Sequence, residues 1–505
     1  MHTLVDPLKR ALQIRANEIA VIDGEKAFTY SQLWERCTRL VGALKQLGSA
    51  KGDRVAILSN NSHQYFEAYV GIPAGGMVIV PLNTRHALPE LMYALEDSGA
   101  KILLTDREDI GPLRGIVDHV IALNGDYEKA LANAPQAPFG EDVDEDDLAG
   151  LFYTGGTTGA SKGVMLTHRN LIANAFNWLA AVAQSPSDRS LVMAPMFHAA
   201  GSNGILAAIW QGSCQVALGT FDPKMVLQLI EKHKINITLG VPSMLAAIAE
   251  EQHVNPKDVS SLRILAHGGS PIATEVIKRT SQAFAAAQMV EVYGATETSP
   301  LATLLGNEEQ LIDDPKSRSC GRSVVGCSIT ICAPQGQVLG VGEVGEVVVS
   351  GANIMKGYWN KAEQTAAVIK DGGYWTGDLG YLDEAGYLFL VDRSKDMIVS
   401  GGENVYSTEV EDILYKYPGV LEAAVFGVPD DKWGEAVYAV VVPRAEATDV
   451  TAEALIAFCR EHIGGYKVPK GIDIQLEPLP KSGPGKVLKR ELRAPFWAGT
   501  DRSVN

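Results

Sequence analysis

Cysteine and basic residues are scarce in this 505-residue sequence, and each shortage excludes a class of protein. The six cysteines have spacings that match no zinc-site pattern, which favours buried thiols in a reducing, cytoplasmic compartment over a disulfide framework. Lysine and arginine number 44 against 60 aspartates and glutamates, which gives a net charge of −16. This balance argues against nucleic acid as a partner, because proteins that bind polyanions carry a dominant basic field.

Long apolar runs are also lacking. The stretch 190–221 contains no charged residue, but Pro195, His198 and several glycines interrupt it, whereas a membrane span needs about 20 predominantly apolar residues. We therefore expect a buried helix that lines a pocket there, and no transmembrane segment. The first residues show no basic stretch followed by an apolar core, so no secretory signal is expected.

Strand and helix patterns alternate through the first half. Apolar residues recur at helical spacing over 30–47, and short buried strands are indicated at 54–58, 78–82 and 101–105. This alternation predicts an α/β fold with layered mixed sheets. A glycine-rich alternating stretch at 338–350 predicts a small barrel-like subdomain, and strands at 420–428 and 436–442 with a helix at 453–462 predict a compact α+β unit.

A fully polar stretch at 392–396 separates two apolar runs and predicts a domain boundary. We expect a large N-terminal domain over 1–392, a hinge at 393–396 and a small mobile C-terminal domain over 397–505.

Residues 153–163 form the most informative segment. They read Tyr-Thr-Gly-Gly-Thr-Thr-Gly-Ala-Ser-Lys-Gly, with four glycines, three threonines and one lysine in eleven positions. Glycine lets the backbone pass close to a ligand, and successive backbone amides form a nest for an anion. The segment therefore predicts a phosphate-binding loop. It lacks the Gly-Lys-[Ser/Thr] element of a Walker A loop, because Lys162 lies between Ser161 and Gly163.

A second motif at 291–298 reads Glu-Val-Tyr-Gly-Ala-Thr-Glu-Thr. The ring of Tyr293 beside a glycine allows a flat base to stack, and Glu297 supplies the hard oxygen that Mg²⁺ prefers. A glycine-rich turn at 267–271 follows a strand pattern, which is a common position for residues that face a ligand.

Together these segments resemble the adenylate-forming superfamily, whose signatures are Y-T-S-G-T-T-G-x-P-K-G and Y-G-x-T-E. The match covers nearly the whole chain, and the segments at 400–404 and 431–435 resemble the acyl-CoA synthetase branch. Two positions depart from the first signature, since Gly155 replaces serine and Ser161 replaces proline.

The resemblance implies a role for each matching residue. ATP or AMP would be bound by Thr154, Gly155, Gly156, Thr157, Thr158, Gly159, Lys162, Gly269, Ser270, Val292, Tyr293, Gly294, Ala295, Thr296, Asp378, Arg393 and Lys486. Catalysis would involve Lys486, Glu297, Lys162 and His198, and Mg²⁺ would bind Glu297 and Thr158. The acyl pocket would be walled by Phe197, His198, Gly201, Asn203, Val241, Pro242, Gly268 and Tyr293. CoA would lie against Gly401, Gly402 and Trp433, and Lys395 would be the pivot of the C-terminal domain.

The implied activity is that of an AMP-forming acyl-CoA synthetase with ATP and CoA as co-substrates and Mg²⁺ as cofactor. Its acid would be a fatty or aryl, hydroxycinnamate-type carboxylate, since no arginine in the pocket could pair a second carboxylate. The alternative is a stand-alone adenylating enzyme that loads a carrier protein. Core packing for His198 and domain-edge packing for Trp433 stay open, as does a homodimer. A luciferase-like oxygenase, a peptide-type adenylation domain and a nucleotide-sensing protein are further readings of the same ATP site.

Overall fold

The computed structural model describes residues 2–140, 142–154, 161–202, 204–270, 272, 274–393, 396–400, 403–430, 433–444, 447, 449–481 and 487–497. The chain divides into two compact units, each described by itself. The first comprises Met1–Ile329 and Val349–Trp375, and the second comprises Thr330–Val348 and Thr376–Asn505. The predicted domain boundary and hinge at 393–396 stay a prediction.

The elements follow in chain order. The strands are β1 (Ile19–Asp23), β2 (Lys26–Thr29), β3 (Arg54–Leu58), β4 (Val78–Pro81), β5 (Ile102–Thr105), β6 (His119–Ala122), β7 (Leu148–Thr154), β8 (Lys162–Thr167), β9 (Arg189–Val192), β10 (Cys214–Ala217), β11 (Ile237–Gly240), β12 (Ile264–Gly268), β13 (Gln288–Tyr293), β14 (Thr303–Gly306), β15 (Arg322–Ser323), β16 (Cys327–Cys332), β17 (Gly345–Gly351), β18 (Gly357–Tyr358), β19 (Ile369–Lys370), β20 (Gly373–Leu382), β21 (Leu388–Arg393), β22 (Ile398–Ser400), β23 (Glu403–Val405), β24 (Val420–Asp430), β25 (Gly434–Pro443) and β26 (Gly471–Ile474). The α-helices are α1 (Val5–Arg15), α2 (Tyr30–Gln46), α3 (His63–Ala74), α4 (Leu88–Ser98), α5 (Asp126–Asn133), α6 (His168–Ala181), α7 (Ala199–Ser202), α8 (Ile205–Gln211), α9 (Pro223–His233), α10 (Pro242–Val254), α11 (Thr274–Ala283), α12 (Ala362–Val368), α13 (Ser407–Lys416), α14 (Ala452–His462) and α15 (Lys489–Trp497).

Two mixed sheets organise the first unit. In the nine-stranded sheet, β1, β10, β9, β11, β12 and β13 lie parallel side by side, and β2, β14 and β15 extend its edges as antiparallel strands. The seven-stranded sheet has the order β18-β8-β7-β4-β3-β5-β6. Because parallel strands end at the same edge of a sheet, the residues that follow β9, β11, β12 and β13 are brought close together.

Smaller sheets complete the fold. One has the order β16-β17-β20-β19 with β21 beside β20, and β20 and β21 form an antiparallel hairpin. The second unit contains a sheet of order β23-β22-β25-β24, with β26 parallel to β25. These sheets confirm the predicted fold class of a large α/β part with a small sheet and an α+β part.

Local sequence signals set the helix starts, and apolar faces set the core. Thr29 accepts a hydrogen bond from the Gln32 amide and Thr167 accepts one from the Asn170 amide, so both helices begin with a satisfied cap. Trp178 and Tyr30 are fully buried in the core of the first unit, and Val425 of β24 belongs to that of the second. All six cysteines are free thiols, and five are buried. Among the described helices, none has the length and apolar character needed to cross a membrane.

The buried helix expected at 190–221 forms over only part of that stretch. α8 is a helix whose first five residues are buried, whereas the end of β9, the short helix α7 and β10 occupy other parts of the stretch. Apolar runs of four to eight residues do not distinguish a buried strand from a helix segment.

The first two residues of the polar stretch at 392–396 belong to a strand. β21 continues to Arg393, and the buried Asp392 carboxylate accepts a hydrogen bond of 2.9 Å from the Ser407 hydroxyl at the start of α13.

Candidate active site

A strand hairpin brackets the predicted phosphate loop. β7 ends at Thr154 and β8 begins at Lys162, and these two residues are partners in the antiparallel ladder. The ladder therefore holds both ends of the loop together and places Lys162 beside its first residue. The predicted phosphate ligands Gly155, Gly156, Thr157, Thr158 and Gly159 lie outside the described residues.

The Tyr-Gly-x-Thr-Glu motif forms one tight turn after β13. Tyr293 ends the strand, and Thr296–Thr298 forms a single 3₁₀ turn that contains Glu297. A Cβ at Gly294 would lie 1.8 Å from the Pro300 carbonyl oxygen, so the turn closes only around glycine. The predicted nucleotide-binding residues from Val292 to Thr296 are thus brought into one short segment next to Glu297.

Other residues predicted to line the acyl pocket or the nucleotide site lie at the ends of the neighbouring strands. Gly268 pairs with Val292 across β12 and β13, and a Cβ at Gly268 would lie 2.3 Å from the Val292 carbonyl oxygen. Gly269 has a φ of +83°, in the left-handed region that favours glycine, and its Cβ position lies 4.0 Å from Val241 Cγ1. Val241 is the N-cap residue of α10, which begins at Pro242, so the ends of β11, β12 and β13 bring these residues close together.

His198 lies in the segment between β9 and α7. Burial lowers the pKa of its imidazole to about 4, so the ring is neutral near pH 7 and packs without a charge. A Cβ at Gly201 would lie 1.9 Å from the Pro195 carbonyl oxygen, so the chain folds tightly back on itself here. Phe197 packs against the core beside it, and Asn203 lies outside the described residues.

Lys162 and Glu297 are joined through a residue that the sequence did not indicate. The Tyr358 hydroxyl donates a hydrogen bond of 2.8 Å to Glu297 Oε1, and the Lys162 ammonium lies 4.8 Å from the centroid of the Tyr358 ring. Burial and the negative charge of Glu297 raise the pKa of the Tyr358 phenol, which keeps the hydroxyl a donor. A carboxylate, a phenol and an ammonium therefore lie together at the start of β8.

Asparagines that the sequence gave no reason to select hold this region in place. The buried Asn353 side chain donates hydrogen bonds to the Thr298 and Leu301 carbonyls at 2.7 and 2.9 Å. Asn61 donates to the Ala194 carbonyl at 2.9 Å and accepts from the Met196 amide at 2.8 Å, which shapes the segment before His198. No spacing or neighbouring motif marks either residue, because each acts through contacts with distant parts of the chain.

The predicted ribose-binding pair lies in the second unit. Asp378 and Arg393 are direct partners in the antiparallel ladder of β20 and β21. The Asp378 amide donates to the Thr376 hydroxyl at 3.0 Å, and Gly377 has a φ of +74°, so a tight turn presents this end of the pair. The backbone thus brings the two predicted residues opposite each other.

Of the predicted CoA and hinge residues, the structure describes Trp433. Its side chain is 40% exposed, and its amide donates to Asp430 Oδ1 at 2.9 Å in the turn between β24 and β25. Gly401, Gly402, Lys395 and Lys486 lie outside the described residues.

Glu297 is the described residue that fits a magnesium ion. The described part of the chain contains no cluster of three or more histidines, cysteines or carboxylates that could hold a metal on its own. Magnesium in nucleotide sites takes one or two carboxylates and completes its shell with water and substrate phosphates. A single carboxylate beside a predicted phosphate loop agrees with that donor set, whereas the predicted ligand Thr158 lies outside the described residues.

Family models match most of the chain. Residues 8–359 match the model described as AMP-binding enzyme, and residues 409–486 match the model described as AMP-binding enzyme C-terminal domain.

Curated relatives match at full length. A feruloyl-CoA synthase of Amycolatopsis sp is 39% identical over 97% of this chain and 98% of its own. The long-chain-fatty-acid–CoA ligase FadD13 of Mycobacterium tuberculosis is 35% identical over 93% of each chain. The fatty acid–[acyl-carrier-protein] ligase ScoC of Streptomyces coeruleorubidus is 34% identical over 100% of this chain and 98% of its own.

Solved structures share the fold. ATP-bound MatB from Rhodopseudomonas palustris superimposes with a TM-score of 0.89 and 28% identity, over 98% of this chain and 99% of that one. The o-succinylbenzoate CoA synthetase MenE of Bacillus subtilis, in complex with ATP and a magnesium ion, gives a TM-score of 0.86 and 31% identity, over 96% of this chain and 98% of that one.

Proposed function

The chain belongs to the AMP-binding enzyme family, and from this we propose that it joins a fatty or hydroxycinnamate-type acid to CoA at the expense of ATP. It is an acyl-CoA synthetase whose ATP is split to AMP and pyrophosphate. The observation that carries the proposal is the grouping of Lys162, Tyr358 and Glu297 at the start of β8, beside the ends of the predicted phosphate loop.

The first half-reaction forms the acyl-adenylate. A carboxylate oxygen of the acid attacks the α-phosphorus of ATP, and the bond from that phosphorus to pyrophosphate breaks. The protein contributes position and charge more than covalent chemistry. We assign Tyr293 to the adenine, Asp378 and Arg393 to the ribose, and Lys162 and Lys486 to the phosphates, where cations oppose the charge that develops.

Magnesium is part of this proposal. Glu297 would hold the ion together with Thr158, and the ion would neutralise phosphate charge when bound. The Glu297 carboxylate, with its Tyr358 hydrogen bond, supports this assignment.

The second half-reaction transfers the acyl group to sulfur. The CoA thiolate attacks the acyl carbonyl carbon, and the bond from that carbon to the AMP oxygen breaks. We assign Gly401 and Gly402 to the thin pantetheine chain and Trp433 to the thiol end. Because the two chemistries share one nucleotide, we propose that the C-terminal domain turns about Lys395 between them.

The acyl pocket supports an acid with an apolar tail. Val241 and Gly268 lie at adjacent strand ends, and the His198 ring is kept neutral by burial. These groups offer apolar or uncharged surface to a chain or an aromatic ring, as ligand pockets commonly do. Transfer to a carrier protein is the second candidate, and the resemblance to the carrier-protein ligase ScoC favours it.

Mass spectrometry of the products tests the proposal. The full chain would be incubated with ATP, MgCl₂, CoA and a panel of fatty acids, benzoates and hydroxycinnamates. We expect a thioester that appears only with both ATP and CoA, and its mass names the acid. Acyl-AMP without thioester would overturn the CoA assignment and favour a carrier protein, and no product with any acid would contradict the ligase.

The proposal also covers the cellular compartment and the oligomeric state of the protein. We propose that the protein works in the cytoplasm, since its buried free thiols suit a reducing compartment. Light scattering after gel filtration tests whether it forms a homodimer.

A further inference from the structure

Tyr358 lies between the two charged groups on which the proposed chemistry depends. Its hydroxyl donates to Glu297 Oε1 at 2.8 Å, and its ring faces the Lys162 ammonium at 4.8 Å. The Tyr374 side chain also hydrogen-bonds the Tyr358 hydroxyl. A hydroxyl has one proton, which Tyr358 gives to Glu297, so Tyr374 is the donor in that second bond. The Tyr358 side chain is only 6% exposed, and its hydroxyl is fixed by hydrogen bonds to both Glu297 and Tyr374.

The backbone that carries Tyr358 is fastened to the turn that carries Glu297. We call residues 352–358 the strap. The Met355 amide donates to the Glu297 carbonyl at 2.8 Å, and the Asn353 side chain donates to the Thr298 carbonyl at 2.7 Å. The strap therefore fixes the Glu297 turn directly.

The other end of the strap is fastened to the start of β8. Gly357 and Tyr358 pair with Met165 and Val164 in the antiparallel ladder of β18 and β8. A Cβ at Gly357 would lie 2.6 Å from Thr365 Cγ2, and the Tyr358 amide donates to the Thr365 hydroxyl at 2.9 Å. These contacts fix the position of Tyr358, so Tyr358 orients the Glu297 and Lys162 side chains and is not itself displaced by them.

We propose that Tyr358 is a positioning residue for adenylate formation, which holds the Glu297 carboxylate through its hydroxyl and the Lys162 ammonium over its ring. The inference rests on the proposed function, which gives Glu297 to the metal and Lys162 to phosphate. Magnesium demands near-ideal geometry from its ligands, so a carboxylate that is already oriented binds it with less reorganisation. Partners that orient a metal ligand typically change metal affinity or activity by about 10–100-fold when they are removed.

Tyr358→Phe separates the two contacts, because it removes the hydroxyl and keeps the ring. We expect the Mg²⁺ concentration for half-maximal ATP–pyrophosphate exchange to rise about 10-fold, as for other partners of metal ligands. Saturating Mg²⁺ should restore most of the rate, and KM for the acid should not change. Calorimetry gives a readout without turnover. When ATP is titrated into the protein in the presence of MgCl₂, Tyr358→Phe should bind it more weakly than the parent. When EDTA replaces MgCl₂, the variant and the parent should bind ATP equally.

Tyr127→Phe is the matched control. The Tyr127 hydroxyl also donates to a buried carboxylate, Glu67 Oε2, at 2.7 Å, but it lies in the packing of α2, α3 and α5. This variant should keep the parent's Mg²⁺ dependence. An equal shift in both variants would mean that the loss of any buried tyrosine hydroxyl has this effect, and it would overturn the inference.

Glu297→Gln separates failure of the inference from failure of the proposed function. If Glu297→Gln shifts the Mg²⁺ dependence and Tyr358→Phe does not, the positioning role is wrong and the metal assignment stands. If neither variant shifts it, the metal assignment itself is wrong. In the double variant the two shifts in Mg²⁺ dependence should not add, because the hydroxyl acts only through the carboxylate. Additive shifts would contradict the proposal. This comparison holds even where Tyr358→Phe lowers the folded fraction.

Discussion

Single buried side chains carry consequences that the motifs do not show. His168 is the first residue of α6, and its side chain is fully buried. Its Nδ1 accepts a hydrogen bond of 3.1 Å from the Leu4 amide, which fastens α1 to the domain. Burial lowers the pKa of His168 from 6.5 to about 4, so folding keeps the ring neutral.

The buried His168 predicts a loss of stability in mild acid. The unfolded chain binds a proton at this position below pH 6.5, whereas the folded chain does so only near pH 4. The stabilising contribution is therefore full above pH 6.5 and is lost as the pH falls towards 4, by about 1.4 kcal/mol per pH unit. Urea unfolding at pH 7 and pH 5 should show a larger drop for the parent than for His168→Gln; equal drops would contradict the assignment.

The tight packing around Gly294 predicts that a larger residue there lowers both stability and activity. Gly294→Ala would press a methyl group against the Pro300 carbonyl oxygen, 1.8 Å away, so the turn before Glu297 must open. We expect a loss of roughly 1–3 kcal/mol in the free energy of unfolding, the usual range for overpacking, and a fall in adenylate formation. Gly115→Ala meets no atom within 4 Å and is the control for thermal melting and pyrophosphate exchange. Parent-like behaviour of Gly294→Ala would show that the turn has room.

At the scale of elements, one face of α6 organises the loops around Glu297. Asn170, Asn174 and Asn177 recur at i, i+4 and i+7, which places them on the same side of the helix. Asn170 donates to the Ile354 carbonyl at 2.7 Å, Asn174 accepts from the Leu301 amide at 3.0 Å, and Asn177 accepts from the Gly326 amide at 2.8 Å. The helix thus holds three separate segments with a row of amides.

Asn170→Ala should loosen the strap from this helix. The substitution leaves the Ala352 and Ile354 carbonyls, which now accept at 2.8 and 2.7 Å, without their donor. Ala352 is exposed and Ile354 is half-buried, so water can reach these carbonyls, and each lost hydrogen bond should cost about 0.5–1.5 kcal/mol in the free energy of unfolding, which denaturant unfolding measures. Asn133→Ala, at the exposed end of α5, should change the free energy of unfolding by less than about 0.5 kcal/mol. Similar losses in both variants would mean that the Asn170 bonds contribute nothing specific.

At the scale of the whole molecule, the proposed domain rotation separates the two half-reactions. Proline fixes φ and restricts the residue before it, so Lys395→Pro should block a rotation about this position. We expect acyl-adenylate to form at near the parent rate and thioester formation to fall at least about tenfold, a cost of about 1.4 kcal/mol in the barrier. Lys395→Ala removes the charge but keeps the backbone free, and it should retain most thioester formation in a single-turnover assay. Unimpaired thioester formation by Lys395→Pro would mean that the pivot lies elsewhere.

Much of the fold followed from the sequence. The strand pattern at 54–58 became β3, the helical spacing at 30–47 became α2, and the pattern at 453–462 became α14 within one residue. These segments carry a clear period or clear boundaries, so local preference and final structure agree. The expectation of one helix over 190–221 was wrong at both ends of the stretch, because its short, interrupted apolar runs show no clear period. Pairing of β9 with β10 within the nine-stranded sheet decided the structure there.

The sequence by itself determined the family of the protein and predicted the residues of the candidate site, and the tertiary structure decided how those residues are arranged. Lys162, Tyr293 and Glu297 lie in motifs whose glycines and threonines are adjacent in the chain, so the motifs alone predict a role for each of them. No motif predicts a role for Tyr358, because it meets Glu297 from 61 positions away and reaches β8 only through a strand pairing. Contacts between such distant segments form only when the sheets and the strap pack together, so no pattern in the local sequence predicts them.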